Sequence, residues 1–432
     1  MEDDNEQKTK EEKGLLDGGK NNDEETVDKK VEEKNVEKKP TEEDKNVEVN
    51  KPVEDEKKVE EDKNVVENKP LIGEGKDVVK DQKVEEDKKV EEVKVHDKIV
   101  EEKKTVFDKK WMQAITIVEW GKLELREVPI PTVSKNLVLV KVMFSAINPS
   151  DLSSITGHYP SGIIPPGTAG SEGSGEIVAV GEDLIFPHQV GDRVSFVTRG
   201  AWAEYVLVPA FMATTIHKEN SYQEATCHFV NPGTVYSFLD LAKKTKKTAI
   251  IHSAGASALG KMLIKACKAE GIKSINLVRN KKYFDELTKL GSDCNLDMSD
   301  KDFVTDLIKV AKDFNATIFF DAVAGDLTHI VANAMPDHST TYVYGSLSGQ
   351  NVKEVSVGDL IFRKQSIHGF WLVDYCKSYT PHELIEMGQI IQKNLKTTYK
   401  TETKVFEFSD YLKALEHSKS NASESKSLLK FN

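Results

Sequence analysis

Hydrophobic residues follow two different patterns along the chain, and the change falls near residue 225. Before it, short β-branched runs bounded by Gly or Pro predict strands over residues 137–142, 175–181, 191–196 and 201–208. After it, helical spacing predicts helices over residues 261–268, 282–290 and 302–314. These helices alternate with apolar runs that predict strands over residues 249–251, 274–278, 316–320 and 341–344. The alternation indicates a parallel sheet with crossover helices, which makes the fold α/β.

A final strand and helix, predicted over residues 404–408 and 410–418, lie outside this alternation. We expect them to return to the first, β-rich and partly barrel-like domain. The predicted organisation is a tail over residues 1–108, a first domain over 109–233, a doubly wound domain over 234–366 and a return over 367–432.

The tail differs from the rest of the chain in composition. Residues 1–110 hold 37 acidic residues and 26 lysines, with Phe107 as the only aromatic residue, and they carry a net charge of −11 out of −12 for the whole chain. Such a segment cannot bury enough apolar surface to offset the loss of conformational entropy, so we predict disorder. Its loose repeats, as in residues 59–65 and 84–90, space valines by six rather than seven and sustain no coiled coil. We expect a solvated spacer, and the sequence identifies no partner for it.

Several classes of protein are excluded by what the sequence lacks. No run is apolar enough to span a membrane, and no basic stripe supports nucleic-acid binding. The acidic first residues show neither a secretory signal nor a transit peptide. The four cysteines (Cys227, Cys267, Cys294 and Cys376) form no zinc spacing or disulfide framework. We therefore expect a cytoplasmic protein that acts on a small molecule.

A glycine-rich turn joins the strand at residues 249–251 to the following helix. Its pattern, Gly255-x-Ser257-x-x-Gly260, is a variant of the dinucleotide fingerprint, with serine at the second glycine position. Backbone N–H groups at the start of the helix would face a pyrophosphate. Arg279 ends the next strand, where a cation suits the 2′-phosphate of NADP, so we predict NADPH. In the alternative interpretation, the motif is only a tight turn and Arg279 is a solvated surface residue.

Four motifs, in order, resemble those of the medium-chain dehydrogenase/reductase superfamily. They are Asn148–Leu152 followed by Gly157-His158-Tyr159, the glycine-rich stretch 170–181, Gly191-Asp192-Arg193-Val194, and Gly369-Phe370-Trp371-Leu372. The first and last resemble most the zinc-free branch that contains quinone oxidoreductases and trans-2-enoyl-CoA reductases. The resemblance runs from about residue 112 to the C-terminus. It implies a GroES-like β-rich catalytic domain, a Rossmann domain and a homodimer built through edge strands.

The resemblance also implies that no metal is bound. The zinc enzymes of the superfamily use a cysteine and a His-Glu pair as catalytic ligands. Here the first site falls among residues 144–148, which contain neither Cys nor His, and the second is Ser171-Glu172.

The resemblance assigns catalytic roles to Tyr159 and Trp371, and the chemistry of its amide makes Asn148 a third candidate. The Tyr159 phenol would stabilise charge on a substrate oxygen, Trp371 would line the pocket, and the Asn148 amide would orient substrate or nicotinamide. The alternatives are a loop tyrosine, a core tryptophan and an Asx turn before Pro149. Predicted cofactor-binding residues are Ser253, Gly255, Ser257, Ala258, Leu259, Gly260, Arg279, Asn280, Asp321, Tyr344, Gly345, Phe370 and Trp371.

The leading hypothesis is an NADPH-dependent reductase that transfers hydride to an activated C=C bond or conjugated carbonyl, as in 2-enoyl thioesters and enones. Quinone reduction is the alternative within enzymes. The alternative from another class is a non-catalytic NADPH-binding interaction protein that uses its tail for contacts. His228, His252 and His368 show no ligand spacing, and we interpret them as structural.

Overall fold

The computed structural model describes residues 109–184, 186–421 and 423–432. The predicted disordered tail, residues 1–108, lies outside the described residues. Within them, no helix has the length and apolarity needed to cross a membrane.

The strands of the described part are numbered in chain order. They are β1 (Trp111–Glu119), β2 (Lys122–Pro129), β3 (Leu137–Ala146), β4 (Gly167–Thr168), β5 (Glu172–Val180), β6 (Arg193–Val197), β7 (Tyr205–Pro209), β8 (Ala213–Thr215), β9 (Ala249–His252), β10 (Lys273–Val278), β11 (Cys294–Asp297), β12 (Ile318–Asp321), β13 (Thr340–Val343), β14 (Ser366–Gly369), β15 (Thr403–Glu407) and β16 (Lys426–Lys430).

The α-helices are numbered in the same way. They are α1 (Pro149–Ile155), α2 (Tyr222–Ala225), α3 (Val230–Lys244), α4 (Ala258–Glu270), α5 (Phe284–Leu290), α6 (Phe303–Asp313), α7 (Asp326–Ala334), α8 (Val357–Ile361), α9 (Leu372–Cys376), α10 (Pro381–Lys393) and α11 (Tyr411–Ser420).

The β-rich domain contains two sheets around one apolar core. The larger sheet has the order β15-β16-β3-β5-β6-β8, with β7 also paired to β3, and the smaller has the order β2-β1-β4. Trp202 lies in the core, where its indole N–H donates to the Ala146 carbonyl at 3.0 Å. Strands β15 and β16 lie at one edge of the larger sheet, where β16 pairs with β3. The β-rich character predicted for this domain is confirmed.

The second domain is a six-stranded parallel sheet of order β11-β10-β9-β12-β13-β14. Because the strand order reverses between β9 and β12, a crevice opens at the carboxyl ends of these two strands. This is the predicted doubly wound fold, although β14 extends the sheet three residues past the predicted boundary at residue 366.

Helix α4 carries the glycine turn to the crevice. The Ser257 hydroxyl caps its first turn by accepting from the Gly260 amide at 3.1 Å, and Gly271 ends it with a φ of 68°. Leu259, Met262 and Leu263 are buried against the sheet. The helix starts three residues before the predicted range because the serine cap acts upstream of the hydrophobic pattern.

Candidate functional site

A cavity of about 270 Å³ lies between the β-rich domain and the parallel-sheet domain, at the crevice between β9 and β12. Nine predicted site residues line it, and they come from both domains: Asn148, Tyr159, Ser257, Ala258, Leu259, Tyr344, Gly345, Phe370 and Trp371. The six others (Ser253, Gly255, Gly260, Arg279, Asn280 and Asp321) lie outside the lining.

The glycine turn brings backbone close to backbone. A Cβ on Gly260 would lie 2.4 Å from the Gly255 carbonyl oxygen, and a Cβ on Gly255 would lie 2.8 Å from the Asn276 side chain. A helix leaves its first amides without an intrahelical acceptor, and the Ser257 hydroxyl satisfies only that of Gly260. The amides at Ala258 and Leu259 therefore stand at the cavity wall, where they suit a phosphate.

Ser253 and Asp321 form a buried hydrogen-bond network next to this turn. The Ser253 hydroxyl donates to the Asp321 carboxylate at 2.9 Å, and that carboxylate also accepts from the Val323 amide at 2.8 Å and the Thr328 hydroxyl at 2.7 Å. Both Ser253 and Asp321 are fully buried. The network joins the ends of β9 and β12, where the strand order of the sheet reverses. These side chains therefore stabilise the crevice.

Arg279 and Asn280 follow β10 directly and are exposed. The Asn280 side chain accepts from the Lys282 amide at 2.8 Å and thereby starts a short 3₁₀ turn. Within the described residues, the Arg279 guanidinium makes no hydrogen bond or ion pair. It is thus an unpaired cation at the carboxyl end of the strand next to the glycine turn.

Tyr344 and Phe370, which directly follow β13 and β14, form another part of the cavity wall. The Tyr344 hydroxyl lies 2.7 Å from Nε2 of His252. Burial lowers the pKa of His252 to about 3, so the imidazole is neutral. Phe370 packs edge-on against Phe238 with ring centroids 4.9 Å apart. At the same wall, a Cβ on Gly345 would lie 2.9 Å from the Ala322 carbonyl oxygen.

Tyr159 and Trp371 meet across the cleft from different domains. The Trp371 indole N–H donates to the Tyr159 hydroxyl oxygen at 2.8 Å, and the two rings are nearly perpendicular. Trp371 is 39% exposed, which differs from a core tryptophan. Burial raises the pKa of Tyr159, so the phenol keeps its proton. Since indole only donates, that proton is free to be donated to a ligand.

Asn148 lies at the start of α1 within a buried polar cluster. Its side-chain amide donates to the Glu172 carboxylate at 2.9 Å, and its side-chain oxygen accepts from the Lys426 ammonium. The second Glu172 oxygen accepts from the Val230 amide at 2.9 Å. Asp151 accepts from the Asn148 backbone amide at 2.8 Å, and burial raises its pKa to about 6 although that hydrogen bond opposes the shift.

Sequence reasoning missed Lys426, which also lines the cavity. It is 278 positions from Asn148, and no local pattern signals that the two meet. It also missed the contact of His252 with Tyr344, because a single histidine in an apolar strand carries no signal of its partner.

Comparison with known proteins agrees with this architecture. The model of the alcohol dehydrogenase GroES-like domain matches residues 134–218, and the zinc-binding dehydrogenase model matches residues 258–393. The chain is 31% identical, over 268 residues, to the mitochondrial enoyl-[acyl-carrier-protein] reductase of Dictyostelium discoideum, covering 58% of this chain and 73% of that protein.

Solved structures show the same fold. A putative NADPH:quinone reductase from Mesorhizobium loti is 28% identical and has a TM-score of 0.68. The match covers 75% of this chain and 99% of that protein. An enoyl thioester reductase from Candida tropicalis, crystallised in a mutant form, is 23% identical with a TM-score of 0.62 over 74% of this chain and all of its own, which shows the shared fold alone. The chain therefore belongs to the medium-chain dehydrogenase/reductase superfamily, in the branch of the enoyl-thioester and quinone reductases.

Proposed function

We propose that this chain is an NADPH-dependent oxidoreductase that reduces the C=C bond of a 2-enoyl thioester or a related enone, without a metal. The observation that carries the proposal is the Tyr159 hydroxyl, held by Trp371 at 2.8 Å in the same cavity that the glycine turn of α4 lines. Relatives named as enoyl reductases and NADPH:quinone reductases support the reaction class.

The glycine turn and its neighbours fit NADPH. Backbone at Ser257, Ala258 and Leu259 would hold the pyrophosphate, and the unpaired Arg279 guanidinium would hold the 2′-phosphate. Gly345 lines the same cavity, and its lack of a side chain lets the backbone pack against the Ala322 carbonyl. When bound, NADPH supplies the hydride.

Tyr159 acts on the substrate oxygen. Hydride addition at the β-carbon moves the π electrons toward the carbonyl, and negative charge develops on its oxygen. The Tyr159 O–H, free because Trp371 occupies the hydroxyl oxygen as a donor, stabilises that charge by a hydrogen bond. The enolate then takes one proton from solvent at its α-carbon and becomes the saturated product.

The proposed chemistry needs no metal. Within the described residues, no group of three or more His, Cys, Asp or Glu side chains forms a metal site. In the two segments that hold the ligands of zinc enzymes, residues 144–148 and Ser171-Glu172, the Asn148 amide donates to the Glu172 carboxylate instead. Metal analysis of the purified protein tests this, and stoichiometric zinc would contradict it.

A substrate panel with the full chain tests the reaction. We expect NADPH oxidation with 2-enoyl thioesters and enones, slower oxidation with quinones, and none beyond background with saturated thioesters. Rapid turnover of quinones alone would replace the proposal with quinone reduction. NADPH binding in a fluorescence titration without turnover of any acceptor would favour the non-catalytic interaction protein.

We also propose a homodimer formed through the open edge of the parallel sheet. Among the described strands, β14 pairs only with β13, and Val357 and Phe362, which shortly precede β14 in the chain, are 66% and 81% exposed. An unpaired edge next to exposed apolar side chains favours association. Light scattering should give a dimer mass that Phe362→Glu reduces to a monomer, and a monomeric parent chain would contradict the proposal.

We further propose a cytoplasmic location, with four cysteines that are unpaired in the structure and suited to a reducing compartment. Several relatives are named as mitochondrial enzymes. Imaging of the full chain with a C-terminal tag distinguishes the two, and an exclusively mitochondrial signal would contradict the cytoplasmic location.

A further inference from the structure

Lys426 is a buried cation at the wall of the cleft. It is the first residue of β16, it is only 8% exposed, and it lines the same cavity as Tyr159. Its backbone amide donates to the Glu402 carbonyl at 2.8 Å, which fixes the start of the strand. The ammonium is therefore held in place by the fold.

The ammonium donates one hydrogen bond, to the Asn148 side-chain oxygen. Within the described residues, no carboxylate oxygen lies within ion-pair distance of Nζ. The nearby Glu172 carboxylate reaches Lys426 only through the Asn148 amide, since its two oxygens accept from Asn148 and Val230. Two ammonium hydrogens thus remain for a ligand.

A buried charge without a direct counter-ion is costly unless a partner arrives. Lys426 and Tyr159 both line this cavity. The cleft therefore offers a fixed positive charge and a phenol O–H to whatever binds in the cavity.

We propose that Lys426 is a second electrostatic group for the reduction, acting with Tyr159 on the substrate oxygen. This inference rests on the proposed function. As hydride and its electron pair reach the β-carbon, the π pair moves to the carbonyl oxygen, and the Lys426 ammonium stabilises that oxyanion while it keeps its own proton. The α-carbon takes its proton from solvent, so Lys426 needs no reprotonation.

The test compares Lys426→Gln, which removes the charge but keeps a hydrogen-bond donor for Asn148, with Lys426→Arg, which keeps the charge. Lys430→Gln, on the same strand but outside the cavity lining, is the matched control. We expect kcat with a 2-enoyl thioester to fall about 10²-fold or more in Lys426→Gln. The NADPH dissociation constant should stay within about threefold, Lys426→Arg should recover at least tenfold of the loss, and Lys430→Gln should match the parent.

Three outcomes would overturn the inference. An unchanged kcat in Lys426→Gln would remove Lys426 from catalysis. Weaker NADPH binding with an unchanged kcat would assign the cation to the cofactor. Equal losses in Lys426→Gln and Lys426→Arg, with both variants folded by circular dichroism, would reduce its role to packing. A parent enzyme inactive on thioesters would contradict the proposed function, whereas parent activity that the Gln variant retains contradicts only this inference.

Discussion

The two walls of the cleft are built in different ways. The wall of the parallel sheet consists of backbone and neutral side chains around Ser257, and it is supported by the buried Asp321 network. The wall of the β-rich domain contains buried charges, with Asn148 between Glu172 and Lys426. In our account, the first wall binds an anionic cofactor through helix amides, and the second stabilises charge that exists only during the reaction.

The largest expected effect is a loss of turnover from a substitution in the wall of the β-rich domain alone. Tyr159→Phe removes the O–H that we assign to the substrate oxygen, so kcat should fall about 10²- to 10³-fold while NADPH binding is retained. Steady-state rates and a fluorescence titration measure the two quantities. Tyr222→Phe, outside the cavity, is the control. Equal turnover in Tyr159→Phe and the parent would remove Tyr159 from the mechanism.

The next substitution destabilises the wall of the parallel sheet. Asp321→Ala leaves the Ser253 and Thr328 hydroxyls and the Val323 amide without their acceptor, and each such loss costs about 1–3 kcal/mol. We expect the free energy of unfolding to fall by about 3 kcal/mol or more in urea titrations. Asp326→Ala, which removes an exposed pair with Lys353, should cost under about 1 kcal/mol. Equal effects of the two substitutions would show that the network does not support the crevice.

The smallest expected effect is a change in cofactor affinity from a substitution beside the wall of the parallel sheet. Arg279→Ala should weaken NADPH binding about 10- to 100-fold, because a charge-assisted contact contributes about 1.5–3 kcal/mol, and should leave NADH binding almost unchanged. Arg126→Ala, on a distant exposed strand, is the control. Equal loss for both cofactors would contradict a contact with the 2′-phosphate.

The difference between the walls also explains what could be predicted from the sequence. The strand, turn and helix around Gly255 and Gly260 are contiguous, so a local pattern identifies them. The cluster on the other wall joins Asn148, Glu172 and Lys426 from three distant segments. Family resemblance pointed to Asn148 and to the Glu172 position, but nothing in the local sequence indicates which side chains meet.

Secondary-structure elements were likewise predictable only where a local pattern of apolar and polar residues identifies them. Helix α4 was predicted because one face is apolar, whereas α3 was not, since Pro232 and Gly233 stand in its first turn and burial extends over most of its surface. A helix that is buried on nearly all sides loses the polar–apolar alternation that sequence reasoning uses. Strand β14 was missed for a related reason, because its short Ser366–Gly369 segment ends in glycine and shows no apolar run.

Isotope transfer tests the central claim most directly. The full chain is incubated with NADPH deuterated at C4 of the nicotinamide and a but-2-enoyl thioester, and the product is analysed by NMR. We expect a saturated thioester with deuterium at the β-carbon and hydrogen from solvent at the α-carbon. Deuterium at any other carbon, or recovery of unreacted thioester under conditions where NADPH binds, would contradict it.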